Sequence, residues 1–180
     1  NKFPSIDQSS STTLLHGHED SVRRRNSPRQ KKSLRHSNVV NSDKTLRHVL
    51  TQTRIIALVG ASPKPQRPSY IVLKFLLQHG YHVIPVNPLL EPGTLIHGQK
   101  VVKSLVHISE PIDMVDIFRN SADAAGVVDE AIAVHARSVW MQIGVVNHQA
   151  AAKAQAAGLQ VVMNSCPKVE ISRLYPHGLP

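Results

Sequence analysis

A chain of 180 residues, 41% of them hydrophobic and only 4% aromatic, is long enough for one domain whose core is built of Val, Ile, Leu and Ala, a composition that favours helices on a buried parallel sheet over an aromatic-rich sandwich. The formal charge of +9 is uneven: residues 1–50 hold ten Lys and Arg against four Asp and Glu, and residues 51–180 hold eleven against eight, so the folded part is not expected to carry a nucleic-acid-binding face of its own. The single cysteine, Cys166, excludes an intrachain disulfide and fits a reducing, cytoplasmic setting, and neither a membrane-spanning apolar run nor the apolar core of a secretory signal is present.

Residues 1–42 contain SSSTT, HGHED, RRRNSPRQKK and RHSNVVN. They are basic and serine-rich with no sustained periodicity, which predicts a disordered tail that buries too little apolar surface to offset its ordering entropy. Arg23, Arg24, Arg25, Lys31 and Lys32 suit a nucleic-acid-binding arm or a nuclear signal. They also suit a mitochondrial transit peptide, against which Asp7, Glu19 and Asp20 count.

From Asp43 the pattern changes to that of a folded domain over 43–180. Asp43 is the expected cap of a short helix, KTLRHVL. RIIALVG, 54–60, reads as a buried parallel strand ending in glycine. SYIVLKFLLQHG, 69–80, has helical spacing, with Ser69 as expected cap and Gly80 as stop. YHVIPVNP, 81–88, is a second strand, and Pro85 inside it points to a sheet edge, a strand end or a bulge. KVV at 100–102 suggests a small edge strand. IDMVDIF (112–118), SVWMQIG (138–144) and LQVVMN (159–164) are further strands. Between them lie a helix over 121–136 capped by Ser121 and another over 147–158, capped by Asn147 and stopped by Gly158. Strands alternating with helices predict a doubly wound, mostly parallel, five-stranded Rossmann-like sheet with helices on both faces.

In such a sheet a ligand sits outside the carboxyl ends of the strands, where the strand order reverses. The loop LVGASPKPQRPSY, 58–70, is the most specific feature there. Gly60 permits a tight turn. Main-chain N–H groups around Ala61 and Ser62, with the head of the helix near Ser69, are expected to seat an anion, and Lys64 and Arg67 add positive charge. Pro63, Pro65 and Pro68 offer no N–H but hold the loop in one shape. The loop has one glycine where a dinucleotide fingerprint has three, and Asn87-Pro88 stands where that fingerprint has an acid; the phosphate-loop pattern GxxxxGK[ST] is absent too.

The motifs VGASPKPQRPSY, HGYHVIPVNP, IDMVDIFRNS, VWMQIGVVN and AAGLQVVMNSCPKVE, in this order over residues 45–175, resemble those of the small stand-alone CoA-binding domain proteins. That family is related to the nucleotide-binding part of the succinyl-CoA synthetase α subunit. The resemblance implies that coenzyme A, or an acyl-CoA, lies across the carboxyl edge of the sheet. It implies a diphosphate loop of Gly60, Ser62, Pro63 and Lys64 supported by Arg67 and Ser69. Asn87 and Pro88 then lie on the adenosine side, Phe118 and Arg119 flank the nucleotide, and Gln142 and Gly144 form the second rim. The chain departs from the family at Asn164 and Ser165, where an acid and a basic residue are common.

Cys166, with Lys168 and Glu170 nearby, is the one candidate nucleophile at this rim. A lone cysteine is more often a small buried hydrophobe. Asp113 and Asp116, three apart in a strand, point to opposite faces, and the histidines lack metal-ligand spacing. The expected role is therefore a non-catalytic carrier, sensor or regulatory module. A thioester-handling enzyme using Cys166 is the alternative, an NAD(H)-sensing domain a weaker one, and a homodimer through the outer helices stays open.

Overall fold

The computed structural model describes residues 41–180 apart from Pro92. Of the tail expected over residues 1–42, residues 1–40, with the basic cluster, lie outside the described residues. Asn41 and Ser42 already take part in the fold. The Asn41 Nδ2 donates to the Met163 carbonyl (2.6 Å), and the Met163 N–H donates to the Asn41 Oδ1 (3.2 Å).

Helix α1 (Asp43–Gln52) is capped by Ser42, not Asp43: the Ser42 hydroxyl accepts from the Thr45 N–H, and Asp43 is the first helical residue. Ser42→Ala is expected to cost about 1 kcal/mol of stability in urea unfolding. Then come β1 (Ile55–Val59), α2 (Pro68–Gln78) and β2 (His82–Val86). A small antiparallel hairpin, β3 (Leu95–Ile96) and β4 (Gln99–Lys100), follows. It divides the predicted KVV strand: Lys100 closes the hairpin, whereas Val102 bridges in parallel to Val86. The remaining elements are β5 (Met114–Ile117), α3 (Ala124–Ala133), β6 (Ser138–Met141), α4 (His148–Ala156), β7 (Gln160–Val162) and α5 (Pro167–Leu174).

The sheet runs β2-β1-β5-β6-β7, all parallel, as the alternation of strands and helices predicts. Pro85 lies in the edge strand β2, where a missing N–H breaks no ladder. Alternation within the strands splits the core. Ala57, Val59, Val115, Ile117, Val139 and Met141 face α3 and α4. Ile56, Leu58, Met114, Trp140 and Val162 face α1, α2 and α5. The chain leaves β1 toward β2 and later returns to the other side of β1 as β5, so the order reverses between β1 and β5.

Two other expected caps move. α2 begins at Pro68, a residue suited to the first helical position. Arg67 precedes it without a capping side chain, and Ser69 is buried. Ahead of α3 the Asp123 N–H is taken by the Asn120 Oδ1, not by Ser121. The Ser121 hydroxyl instead accepts from the Val146 N–H and ties the loop after β6. Asn147 caps α4 as expected, accepting from the Ala150 N–H at 2.9 Å.

Candidate functional site

The reversal between β1 and β5 opens a groove of about 630 Å³ at the carboxyl edge of the sheet. Six of the expected site residues line it: Gly60, Ser62, Arg67, Phe118, Arg119 and Gln142. Pro68, Val72, Ile143, Val145 and Cys166 complete the wall. The groove thus combines two cations, Arg67 and Arg119, with an apolar lining.

The loop after β1 is held by its own hydrogen bonds. The Gly60 and Ala61 N–H groups both donate to the Val86 carbonyl, at 3.0 and 3.3 Å. This overturns the expectation that the Ala61 amide faces an anion: it is consumed in joining the loop to β2. The Lys64 N–H donates to the Ser62 hydroxyl and the Arg67 N–H to the Lys64 carbonyl. Among the described residues, the N–H groups of Ser62, Gln66 and Ser69 have no partner. The amides left for an anion are therefore those of Ser62 and of the residues leading into α2.

The need for glycine at position 60 has a packing cause. Its φ is +90°, and a Cβ there would stand 2.4 Å from the Phe118 carbonyl oxygen. The Phe118 N–H in turn donates to the Val59 carbonyl at 2.8 Å. Gly60 lets the loop after β1 lie directly on the end of β5, which makes the floor of the groove continuous.

The other expected residues stand off the groove wall. Ala61 and Ser69 are buried, and Pro63 and Lys64 are exposed. The Asn87 side chain is used on both ends: its Nδ2 donates to the Ala61 carbonyl and its Oδ1 accepts from the Leu89 N–H, both at 2.8 Å. It braces the loop after β1 from the side of β2. The Pro88 carbonyl accepts from the Lys103 ammonium. The Gly144 N–H donates to the Asn164 Oδ1 at 2.8 Å, so Asn164 links the loops after β6 and β7.

Arg119 pairs with Asp123 at 2.7 Å on the surface, a contact of little strength that leaves the guanidinium available to a stronger anion. Arg67 forms no ion pair among the described residues. Glu170 pairs with Arg173 and accepts from the Ser165 hydroxyl, rather than meeting Lys168.

Beneath the groove lies a carboxyl group. Asp116 is fully buried, flanked in the sheet by Leu58 and Trp140. Its Oδ1 accepts from the Gln142 Nε2 at 2.8 Å, and its Oδ2 has no partner among the described residues. Burial pushes its pKa up to about 7, against the smaller opposing effect of the Gln142 hydrogen bond. Asp113, just ahead of β5 at the amino end of the sheet, has a structural role. It accepts from the Arg54 and Ile55 N–H groups and pairs with Arg137 at the far end of the sheet. Burial also pushes the Cys166 thiol up; the Val169 and Lys168 amides act the other way, and the Asp116 carboxylate adds to the rise. The Lys168 charge, which lowers it, is the smallest of these influences.

The sequence model of the CoA binding domain family matches residues 54–172. An uncharacterized Bacillus subtilis protein, YneT, is 38% identical over 124 residues, covering 69% of this chain and 90% of its own. A stretch of 70 residues is 36% identical to the acetate–CoA ligase (ADP-forming) I subunit alpha of Pyrococcus furiosus, covering 36% of this chain and 15% of that subunit. Among solved structures, a hypothetical protein from Pyrococcus horikoshii superposes with a TM-score of 0.70 at 43% identity, over 74% of this chain and 92% of its own. A Thermus thermophilus protein gives 0.70 at 35% identity, over 74% of this chain and 99% of its own.

Proposed function

The chain belongs to the CoA-binding domain family, and we propose that it binds coenzyme A or an acyl-CoA in the groove between β1 and β5, acting as a carrier, sensor or regulatory module. The observation that carries this reading is the mixed lining of the groove. Arg67, Arg119 and the Ser62 amide offer positive groups to an anionic part of a ligand, and Val72, Phe118, Ile143 and Val145 offer apolar surface. Such a site suits a molecule with a diphosphate joined to a long, largely uncharged arm. A dinucleotide fits less well, because the position at the end of β2 where an acid would hold a ribose 2′-hydroxyl is Asn87, which spends both ends of its side chain on the backbone.

Calorimetry with coenzyme A, acetyl-CoA, NAD and NADH tests the assignment. Saturable binding of the first two and none of the last two is expected. Binding of NADH without coenzyme A would overturn it. Arg67→Ala is expected to weaken coenzyme A binding roughly tenfold at low salt, with a smaller loss at high salt as screening weakens the wild-type contact. Lys64→Ala should have less effect, since Lys64 stands off the groove wall.

A further inference from the structure

Gln142, at the end of β6, has three of its four polar groups engaged. Its N–H donates to the Ile117 carbonyl (3.4 Å), its carbonyl accepts from the Val145 N–H (2.8 Å), and its Nε2 donates to the Asp116 Oδ1 (2.8 Å). The fourth, Oε1, accepts no hydrogen bond among the described residues. The only buried side-chain polar atom without a partner among those residues is the Asp116 Oδ2. The Gln142 Oε1 is therefore open, and the space that Gln142 lines is the groove. A side chain that is otherwise buried thus shows the groove one acceptor oxygen.

Asp116 accounts for the direction of that amide. It is fully buried between Leu58 and Trp140, where a carboxyl costs stability that an apolar side chain would not. Its carboxyl makes one hydrogen bond among the described residues, and that bond goes to Gln142. Turning the Gln142 amide over would set Oε1 against the Asp116 Oδ1, two acceptors face to face. Packing alone does not explain a buried carboxyl whose one partner is the side chain of a groove residue.

The strand order sets how far Gln142 lies from the loop that offers positive groups. That loop, with Ser62 and Arg67, follows β1, and β5 stands between β1 and β6. The separation is two strand spacings, or about 10 Å. The arm of coenzyme A carries two amide N–H groups, about six and ten bonds from the nearer phosphorus. At roughly 3.5 Å per three bonds they lie about 7 and 12 Å away. A diphosphate held at Ser62 and Arg67 thus brings the arm's amides to the end of β6.

Resting on the coenzyme A reading, we propose that the Gln142 Oε1 accepts a hydrogen bond from an amide N–H of the ligand's arm, and that Asp116 is the positioning residue that keeps this oxygen turned to the groove. The pair selects an arm with a donor at this point. An arm presenting only acceptors there would meet an oxygen it cannot bond.

Calorimetry of the full chain at pH 8, where the Asp116 carboxyl is mostly ionised, tests this. The two ligands are coenzyme A and adenosine 3′-phosphate 5′-diphosphate, the same nucleotide without the arm. Asp116→Leu should weaken coenzyme A binding roughly fivefold to tenfold and leave the nucleotide within about twofold. A purely structural role would lower both alike. Asp116→Asn, which keeps an acceptor oxygen for Gln142, should hold coenzyme A within about twofold of the wild type. Gln142→Leu should reproduce the coenzyme A loss, and it decides alone if Asp116→Leu does not fold. Equal losses for the two ligands, no coenzyme A loss in a folded leucine variant, or a loss in Asp116→Asn as large as in Asp116→Leu would each overturn the proposal. In those cases a wild type that binds coenzyme A leaves the binding reading standing. A wild type that binds neither ligand ends both.

Discussion

Gly60→Val is expected to lower stability by about 3 kcal/mol or more, or to prevent folding. Two costs add. A φ of +90° is unfavourable for any residue with a Cβ, and the added carbon would stand 2.4 Å from the Phe118 oxygen and 2.9 Å from its carbonyl carbon. Neither side can yield easily, because Phe118 is hydrogen-bonded to Val59 and Gly60 to Val86. Gly158→Ala is the matched control: its φ is also +90°, but nothing lies within 4 Å of its added Cβ, so only the backbone strain of about 1–2 kcal/mol applies. Urea unfolding at constant m separates the two. Equal losses would show that Phe118 is not the obstacle.

Asp116→Asn is expected to stabilise the protein at pH 8 but not at pH 4. In the unfolded chain this carboxyl ionises near 3.8, and in the folded protein near about 7. Between those values the folded state holds a proton that the unfolded state has lost, so stability falls as pH rises through this window and is constant for this group above it. The ceiling on the effect is about 4 kcal/mol, from roughly three pKa units at 1.36 kcal/mol each. Asparagine keeps the oxygen that accepts from Gln142 and removes the titration. Unfolding measured from pH 4 to pH 8 should show a downward slope in the wild type that flattens in the variant. Parallel curves would mean that Asp116 is solvated or otherwise paired.

The fold was legible because its strands are continuous apolar runs and its helices are spaced by turn residues, and Pro85 alone pointed to the edge position of β2. Caps were harder. Ser69 and Ser121 precede helical patterns as capping residues do, but Pro68 starts α2 one residue early and Asn120 reaches the Asp123 amide first. α5 escaped because only Pro167, Ile171 and Leu174 of its eight residues are buried, too few for a period to stand out. The site was legible as a rim and not as a wall. Sequence order places Gly60, Phe118 and Gln142 at strand ends, but which amides face outward depends on long-range bonds. The Val86 carbonyl takes the Ala61 N–H, and Asn87 turns back onto Ala61. Val72 and Val145 reach the groove from elements whose apolar residues otherwise serve the core. The period of two does not reach Asp113, which lies just ahead of β5 and accepts from the Arg54 and Ile55 N–H groups; nor could it show that Asp116 keeps an oxygen without a partner among the described residues.

A titration of the isotopically labelled full chain with coenzyme A, followed by amide NMR, tests the ligand assignment most directly. The largest saturable shifts are expected at Ser62, Arg67, Phe118, Arg119, Gln142 and Ile143. Shifts confined to the opposite end of the sheet, around Thr53, Asp113 and Ser138, or none at all at millimolar ligand, would contradict it.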